Sequence, residues 1–249
     1  MKKGLKERLD KLLVKRGLVE SREKAQALIM AGLVYVNGQR IDKAGTRVPL
    51  EAQIEIKGEA CPYVSRGGLK LEHALKEFRL SVEGLICADI GASTGGFTDC
   101  LLQHGAAKVY AIDVGHGQLH WRLRQDQRVV VMEGVNARYL KPEDLPEAVD
   151  LVTIDVSFIS LTKIIPAAKG LLKPGGRIVA LIKPQFEVGP REVGKGGVVR
   201  DPALHQRVIE KIKNFAENLG FTVLGLTESP LLGPAGNKEF LIYLSASEE

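Results

Sequence analysis

Four ionisable residues stand where an ordinary surface charge is hard to explain. Lys183 ends the apolar run Leu181-Ile182 just before Pro184-Gln185-Phe186, Asp155 ends Thr153-Ile154, and Glu239 opens the run that begins at Phe240. A lysine that ends an apolar strand is costly to desolvate unless carboxylates stand near it. Lys70 lies at the border of the stripe Leu71, Ala74, Leu75 and Phe78 rather than on the Glu72, Lys76 and Arg79 face, and there the pattern alone fits a snorkelling lysine. Ammonium groups and carboxylates that converge on one point can position a hydroxyl, assist the loss of its proton and steady the charge left on oxygen.

A second set reads as a small-molecule cradle. Asp89-Ile90-Gly91-Ala92-Ser93-Thr94-Gly95-Gly96-Phe97 follows an apolar run and opens a helix. Glycines at such a turn let the backbone approach a ligand and leave helix amides to meet an acceptor. The spacing is not Gly-x-Gly-x-x-Gly, which weakens a dinucleotide reading. With Asp89 to take an amino group, the loop of Gly91, Ala92, Ser93, Gly95, Gly96 and Phe97 suits the amino-acid end of S-adenosylmethionine; a plain tight turn is the bland alternative. Asp113, with Val114 after it, closes Tyr110-Ala111-Ile112, where a carboxylate accepts both hydroxyls of an unphosphorylated ribose. NAD would use the same residue, so the discrimination rests on the glycine loop. Asn136, in Glu133-Gly134-Val135-Asn136-Ala137, is a candidate for adenine, and Asp155 faces the same ligand.

These residues meet only if their elements share an edge. Beyond residue 66, β-branched apolar runs alternate with amphipathic stretches, as in an α/β domain with a mainly parallel sheet. The predicted strands are 85–90, 108–112, 129–132, 151–155, 177–182, 222–226 and 240–244, with helices at 67–79 and 202–219. The last two strands are joined by the Pro/Gly-rich 227–239, too short for a crossover helix, and should pair antiparallel. Seven strands with a reversed last one form a Rossmann-like class I methyltransferase sheet. Ligands sit beyond the carboxyl ends of its parallel strands, and a reversed last strand brings Glu239 to the edge that carries Asp155 and Lys183.

The front of the chain differs in charge. Residues 1–62 hold 13 Lys and Arg against 8 Asp and Glu, and the rest holds 22 of each sign, so the net charge of +5 belongs to the first quarter. A basic module on a neutral domain fits a protein that holds a polyanion with one part and works with the other; a merely solvated surface fits equally. A helix is predicted from Leu5, with Leu5, Leu9, Leu12 and Leu13 on one face and Arg8, Lys11 and Lys15 on another. Ser21 should cap a second helix that buries Ala25, Leu28 and Ile29, and Asn37-Gly38 should turn a hairpin within residues 34–41. From Leu5 to Ile56 the chain resembles the S4 RNA-binding domain, through Arg8-Leu9-Asp10, Ser21-Arg22-Glu23-Lys24-Ala25, Ala31-Gly32-Leu33-Val34-Tyr35-Val36-Asn37-Gly38 and Lys43. The resemblance implies a small α+β domain over residues 1–60 that grips structured RNA through Arg8, Arg22, Lys24, Arg40 and Lys43. Residues 61–66 read as a linker ending in a further RNA contact, Arg66, and residues 67–249 as the second domain.

Lys70, Asp155, Lys183 and Glu239 together resemble the Lys-Asp-Lys-Glu tetrad of the FtsJ/RrmJ-type ribose 2′-O-methyltransferases, opened by Ser65-Arg66-Gly67-Gly68-Leu69-Lys70-Leu71. With the S4-like front, the chain from Leu5 to Leu244 is similar to the TlyA family, often named hemolysin A. Thr94-Gly95-Gly96-Phe97-Thr98-Asp99, Asp155-Val156-Ser157-Phe158-Ile159-Ser160 and Lys183-Pro184-Gln185-Phe186-Glu187 carry that likeness. It implies methyl transfer from S-adenosylmethionine to a cytidine ribose 2′-hydroxyl of ribosomal RNA or ribosomal subunits, with Lys183 on that oxygen as base or as electrostatic stabiliser. An RNA-binding or ribosome-assembly factor on the same scaffold is the rival. A membrane-lytic protein would need a long apolar helix or barrel strands, and the sequence offers neither. The charged start and short apolar runs fit a cytoplasmic protein, and Cys61, Cys87 and Cys100 are too scattered for a disulfide framework or a metal site. Residues 189–200, rich in glycine and basic residues, read as a mobile loop over the site or as plain disorder.

Overall fold

The computed structural model describes residues 5–58 and 61–248, which form two compact units meeting between Pro62 and Tyr63. In the first unit, β1 (Lys6–Arg8) leads into α1 (Leu9–Lys15) and α2 (Arg22–Met30), followed by β2 (Val34–Val36), β3 (Gln39–Ile41), β4 (Arg47–Pro49) and β5 (Ile54–Ile56). β2 lies between β3 and β5, and β1 pairs antiparallel with β4. Leu9, Leu12 and Leu13 of α1 pack with Ala25, Leu28 and Ile29 of α2 over Val34, Val36 and Val48. Ser21 caps α2 by accepting from the Lys24 amide, and Asn37 and Gly38 turn the hairpin with φ of 49° and 79°. The helix expected from Leu5 begins instead at Leu9. Lys6, Glu7 and Arg8 pair with residues 47–49, the Leu9 and Asp10 amides bond to the carbonyls of Thr46 and Ala44, and Leu5 is left exposed.

The second unit runs α3 (Gly67–Glu77), β6 (Ile86–Ile90), α4 (Gly96–Gln103), β7 (Lys108–Ile112), α5 (Trp121–Gln125), β8 (Val129–Met132), β9 (Val149–Ile154), α6 (Ile165–Leu171), β10 (Leu172–Ile182), α7 (Pro202–Asn218), β11 (Thr222–Glu228) and β12 (Phe240–Ser245). The sheet order is β11-β12-β10-β9-β6-β7-β8. β12 is antiparallel to both neighbours and the other pairings are parallel. The central strands are covered on both faces, which is why Leu151-Val152 and Ile178 to Ile182 read as continuous apolar runs. Strand order reverses beside β6, so the crevice between the ends of β6 and β9 is the switch point where such sheets take ligands.

Two expectations change. Residues 63–66 belong to the second unit rather than to a linker: the Val64 amide donates to Asp99 at 2.8 Å, and Tyr63 is buried so tightly that a Cβ on Gly68 would stand 2.4 Å from its ring. The loop 189–200 is pinned. Buried Asn237 accepts from the Val199 amide at 2.9 Å and donates to the Gly197 carbonyl at 2.8 Å, and Glu192 pairs with Arg207 of α7 at 2.5 Å.

Candidate active site

Ile182 at the end of β10 is paired with Phe240 at the start of β12. Lys183 and Glu239 are the next residues past that pair, and Asp155 follows the end of β9 on the same edge. Lys70, on α3, donates to Glu239 at 2.5 Å, and Lys183 forms an ion pair with Asp155 at 2.5 Å and donates to Ser157 Oγ at 3.1 Å. The first pair is the drier: the Glu239 side chain is 0% exposed and that of Asp155 25%. Glu239 Oε2 is a buried acceptor with no hydrogen-bond donor among the described residues, and Asp155 Oδ1 is buried against the Lys183 ammonium. Lys70, Asp155 and Lys183 line one cavity of about 520 Å³ together with Arg66, Gly91 to Thr94, Gly96 and Phe97. Two lysines held by two carboxylates thus face the glycine loop across a hollow that admits a ligand of drug-like size.

The loop is shaped by close backbone approach. Gly91 has φ 82°, and a Cβ there would stand 2.0 Å from the Asp155 carbonyl oxygen, so only glycine lets β6 turn away against the end of β9. Gly95, at φ 104°, precedes the first turn of α4. Asp113 holds the loop in place, accepting from the amides of Ser93 at 2.7 Å and Gly115 at 2.8 Å. Each of its oxygens keeps lone-pair capacity for a ribose hydroxyl. Val114 beside it is exposed.

Asp89 does not reach the cavity. It is fully buried, accepting from Thr98 at 2.7 Å and Thr153 at 3.0 Å, and burial pushes its carboxyl up to about 7 against the lowering effect of those two hydroxyls. The group expected to meet a ligand's amino function therefore ties α4 to β9 from behind. Asn136 is exposed but spends its side-chain oxygen on the Arg138 amide, capping the turn Ala137–Tyr139, and it does not line the cavity.

Several residues at the site were not singled out from sequence. Leu231 to Pro234 close one wall of the cavity from a loop with no periodicity to betray it. Phe158, 90% exposed at φ 64°, tilts against Phe186 with centroids 4.9 Å apart, and Gln185 Oε1 is a buried acceptor with no donor among the described residues. Both lie inside motifs that stood out, and an aromatic in the loop after β9 was the available signal.

In the first unit, Arg8 and Arg22 are not free-swinging charges. Both bind the buried Asp10 carboxylate, Arg8 through Nε at 3.0 Å and a terminal nitrogen at 2.9 Å, Arg22 through Nε at 3.0 Å. Gln26 and the Lys11 amide donate to it as well. The Arg8 hydrogen bonds lead in holding this carboxyl well below the usual range. Lys24 pairs with Glu20 at 3.3 Å, while Arg40 and Lys43 are exposed.

The model for FtsJ-like methyltransferases matches residues 63–246, and the model for S4 domains matches residues 7–54. Bacillus subtilis YqxC is 55% identical over 96% of the chain and 85% of its own length. The 16S/23S rRNA (cytidine-2′-O)-methyltransferase TlyA of Mycobacterium tuberculosis is 48% identical over 95% of the chain and 89% of its own. A solved protein of Streptococcus thermophilus that carries a hemolysin name is 51% identical, with a TM-score of 0.77 over 98% of the chain and 90% of its own.

Proposed function

The chain belongs to the FtsJ-like methyltransferase family, in its S4-bearing TlyA branch, and from that premise we propose that it methylates a ribose 2′-hydroxyl of ribosomal RNA, a cytidine as in its mycobacterial relative, with S-adenosylmethionine as donor. The observation that carries this reading is the pair of lysine–carboxylate contacts at the rim of the cavity shared with the glycine loop.

The residues present fit the donor. The cavity has room for it, Gly91 removes the Cβ that would block the loop, and Asp113 can take ribose hydroxyls. When bound, S-adenosylmethionine supplies an electrophilic methyl. The rest falls to the chain. Lys183 meets the 2′-oxygen and helps it lose its proton, or stabilises the negative charge that develops there, while Asp155 holds its ammonium in place. Lys70, fixed by Glu239, adds positive potential at the same point. Phe158 offers an exposed aromatic face for the base of the target nucleotide, since such faces stack on unpaired bases. In the first unit Arg40, Lys43, Lys24 and the Asp10-anchored Arg8 and Arg22 supply phosphate contacts, and in the second Arg66 supplies one at the cavity. The work belongs in the cytoplasm, where ribosomes are.

The test is mass spectrometry of rRNA fragments after incubation of naked rRNA, separate subunits and whole ribosomes with the protein and isotope-labelled donor. The expected product is a labelled methyl on ribose 2′-oxygen in at least one substrate. Label confined to bases, or none, overturns the reading.

A further inference from the structure

The motifs that follow β9 and β10 end in polar residues that the chemistry above does not use, and in the fold those ends meet. The Glu187 side chain is 2% exposed. Its Oε2 accepts from Ser160 Oγ at 2.6 Å and from Lys211 of α7 at 3.0 Å. Its Oε1 accepts from the Leu161 amide at 2.8 Å, at the first residue of the turn Leu161–Lys163, where a carboxylate is favoured by the amides left open. One buried carboxylate therefore ties the loop after Asp155 to the loop after Lys183, and both to α7.

Between this clamp and the catalytic pair the two loops touch twice more, through Phe158 on Phe186 and Lys183 on Ser157. Phe158 holds φ 64°, a conformation that is rare for a bulky residue and persists only where the surroundings enforce it. The segment from Val156 to Ser160 is anchored at one end by β9 and at the other by Glu187. Hydrogen bonds fix direction as well as distance, which an apolar contact at the same place would not do.

We propose that Glu187 is a positioning residue for the transfer: through Ser160 and Leu161 it sets the Phe158 face and the Lys183 ammonium relative to each other, and so places the target nucleotide. The inference rests on the ribose-methylation reading. Lys211 neutralises the clamp from a half-exposed position and leaves the loop-to-loop bonds intact.

The experiment compares full-length wild type with Glu187→Ala, Glu187→Gln, Ser160→Ala and Lys211→Met, each assayed on rRNA well below its own melting temperature, with S-adenosylmethionine affinity from calorimetry. Glu187→Ala should lower kcat about 10²-fold, the scale of an ångström-sized misplacement, while cofactor Kd stays within about twofold. Glu187→Gln, which keeps an acceptor for the Leu161 amide, should recover most of that loss; Ser160→Ala should fall between, and Lys211→Met should keep kcat within about threefold of wild type. A Glu187→Ala protein with a lowered melting temperature but wild-type kcat overturns the proposal in favour of a purely structural role. So does a loss of cofactor affinity as large as the loss of kcat. A wild type that methylates no ribose would overturn the underlying reading instead, and shows itself before any variant is compared.

Discussion

The two lysine–carboxylate pairs differ in how much water they see, and that difference decides what their variants report. Glu239 is fully enclosed, so Lys70→Met strands a buried carboxylate and should destabilise the fold by about 3–5 kcal/mol, read as a lower midpoint in denaturant. Loss of activity in that variant mixes chemistry with folding, whereas Asp155 keeps a quarter of its side chain exposed and tolerates loss of Lys183 more easily. Asp89 carries a pH signature. Its folded carboxyl titrates near 7 rather than at its ordinary 3.8, so the folded state binds the proton more tightly than the unfolded chain does. Its contribution to stability therefore falls as pH rises between those two values. The melting temperature of Asp89→Asn relative to wild type should climb through that window and level off above it; a constant offset would contradict the assignment. Asp155, Lys183 and Glu239 were legible because charges at strand ends are conspicuous, whereas Lys70 on its helix entered only through the family likeness. The retreat of Asp89 behind the loop was not, because residue type and spacing do not say which side of a strand faces the crevice.

Turns and registers carry the next set of consequences. The β6-to-α4 loop depends on Gly91: Gly91→Ala adds a Cβ that meets the Asp155 carbonyl oxygen at 2.0 Å in a left-handed conformation. The strain of that conformation alone is about 1–2 kcal/mol, and cofactor affinity measured by calorimetry should fall with it. In the first unit, Asp10 gathers Arg8, Arg22, Gln26 and the Lys11 amide. Its lowered carboxyl makes a contribution that is present above the ordinary carboxylate range and is lost as pH falls through it. Asp10→Asn should weaken both the unit's stability near neutral pH and its grip on RNA, measured by melting and by filter binding; unchanged RNA affinity would remove Arg8 and Arg22 from the RNA-binding surface. The reversed last strand was readable from a connection too short for a helix. The start of α1 was not, since Leu5, Leu9, Leu12 and Leu13 fit a helical stripe until residues 6–8 pair with β4, about 40 residues away in the chain, and leave Leu5 outside the helix.

Across the whole molecule, the excess positive charge sits in the first unit and the transfer site in the second. RNA affinity should therefore fall with salt. Substituting Arg40 and Lys43 by Ala should flatten the log–log slope by about 0.7–0.9 for each phosphate no longer neutralised, while leaving S-adenosylmethionine affinity untouched. Charge alone fitted a solvated surface equally well, and it was the S4 likeness that made this division of labour legible. The cavity wall built by Leu231 to Pro234 was not, because an aperiodic loop takes its place only when β11 and β12 close around it. The most direct test of the account is single-turnover methylation of rRNA by Lys183→Ala beside calorimetric binding of S-adenosylmethionine. Cofactor binding should survive while the rate of ribose methylation collapses by at least about 10²-fold; a near-normal rate would contradict a catalytic Lys183.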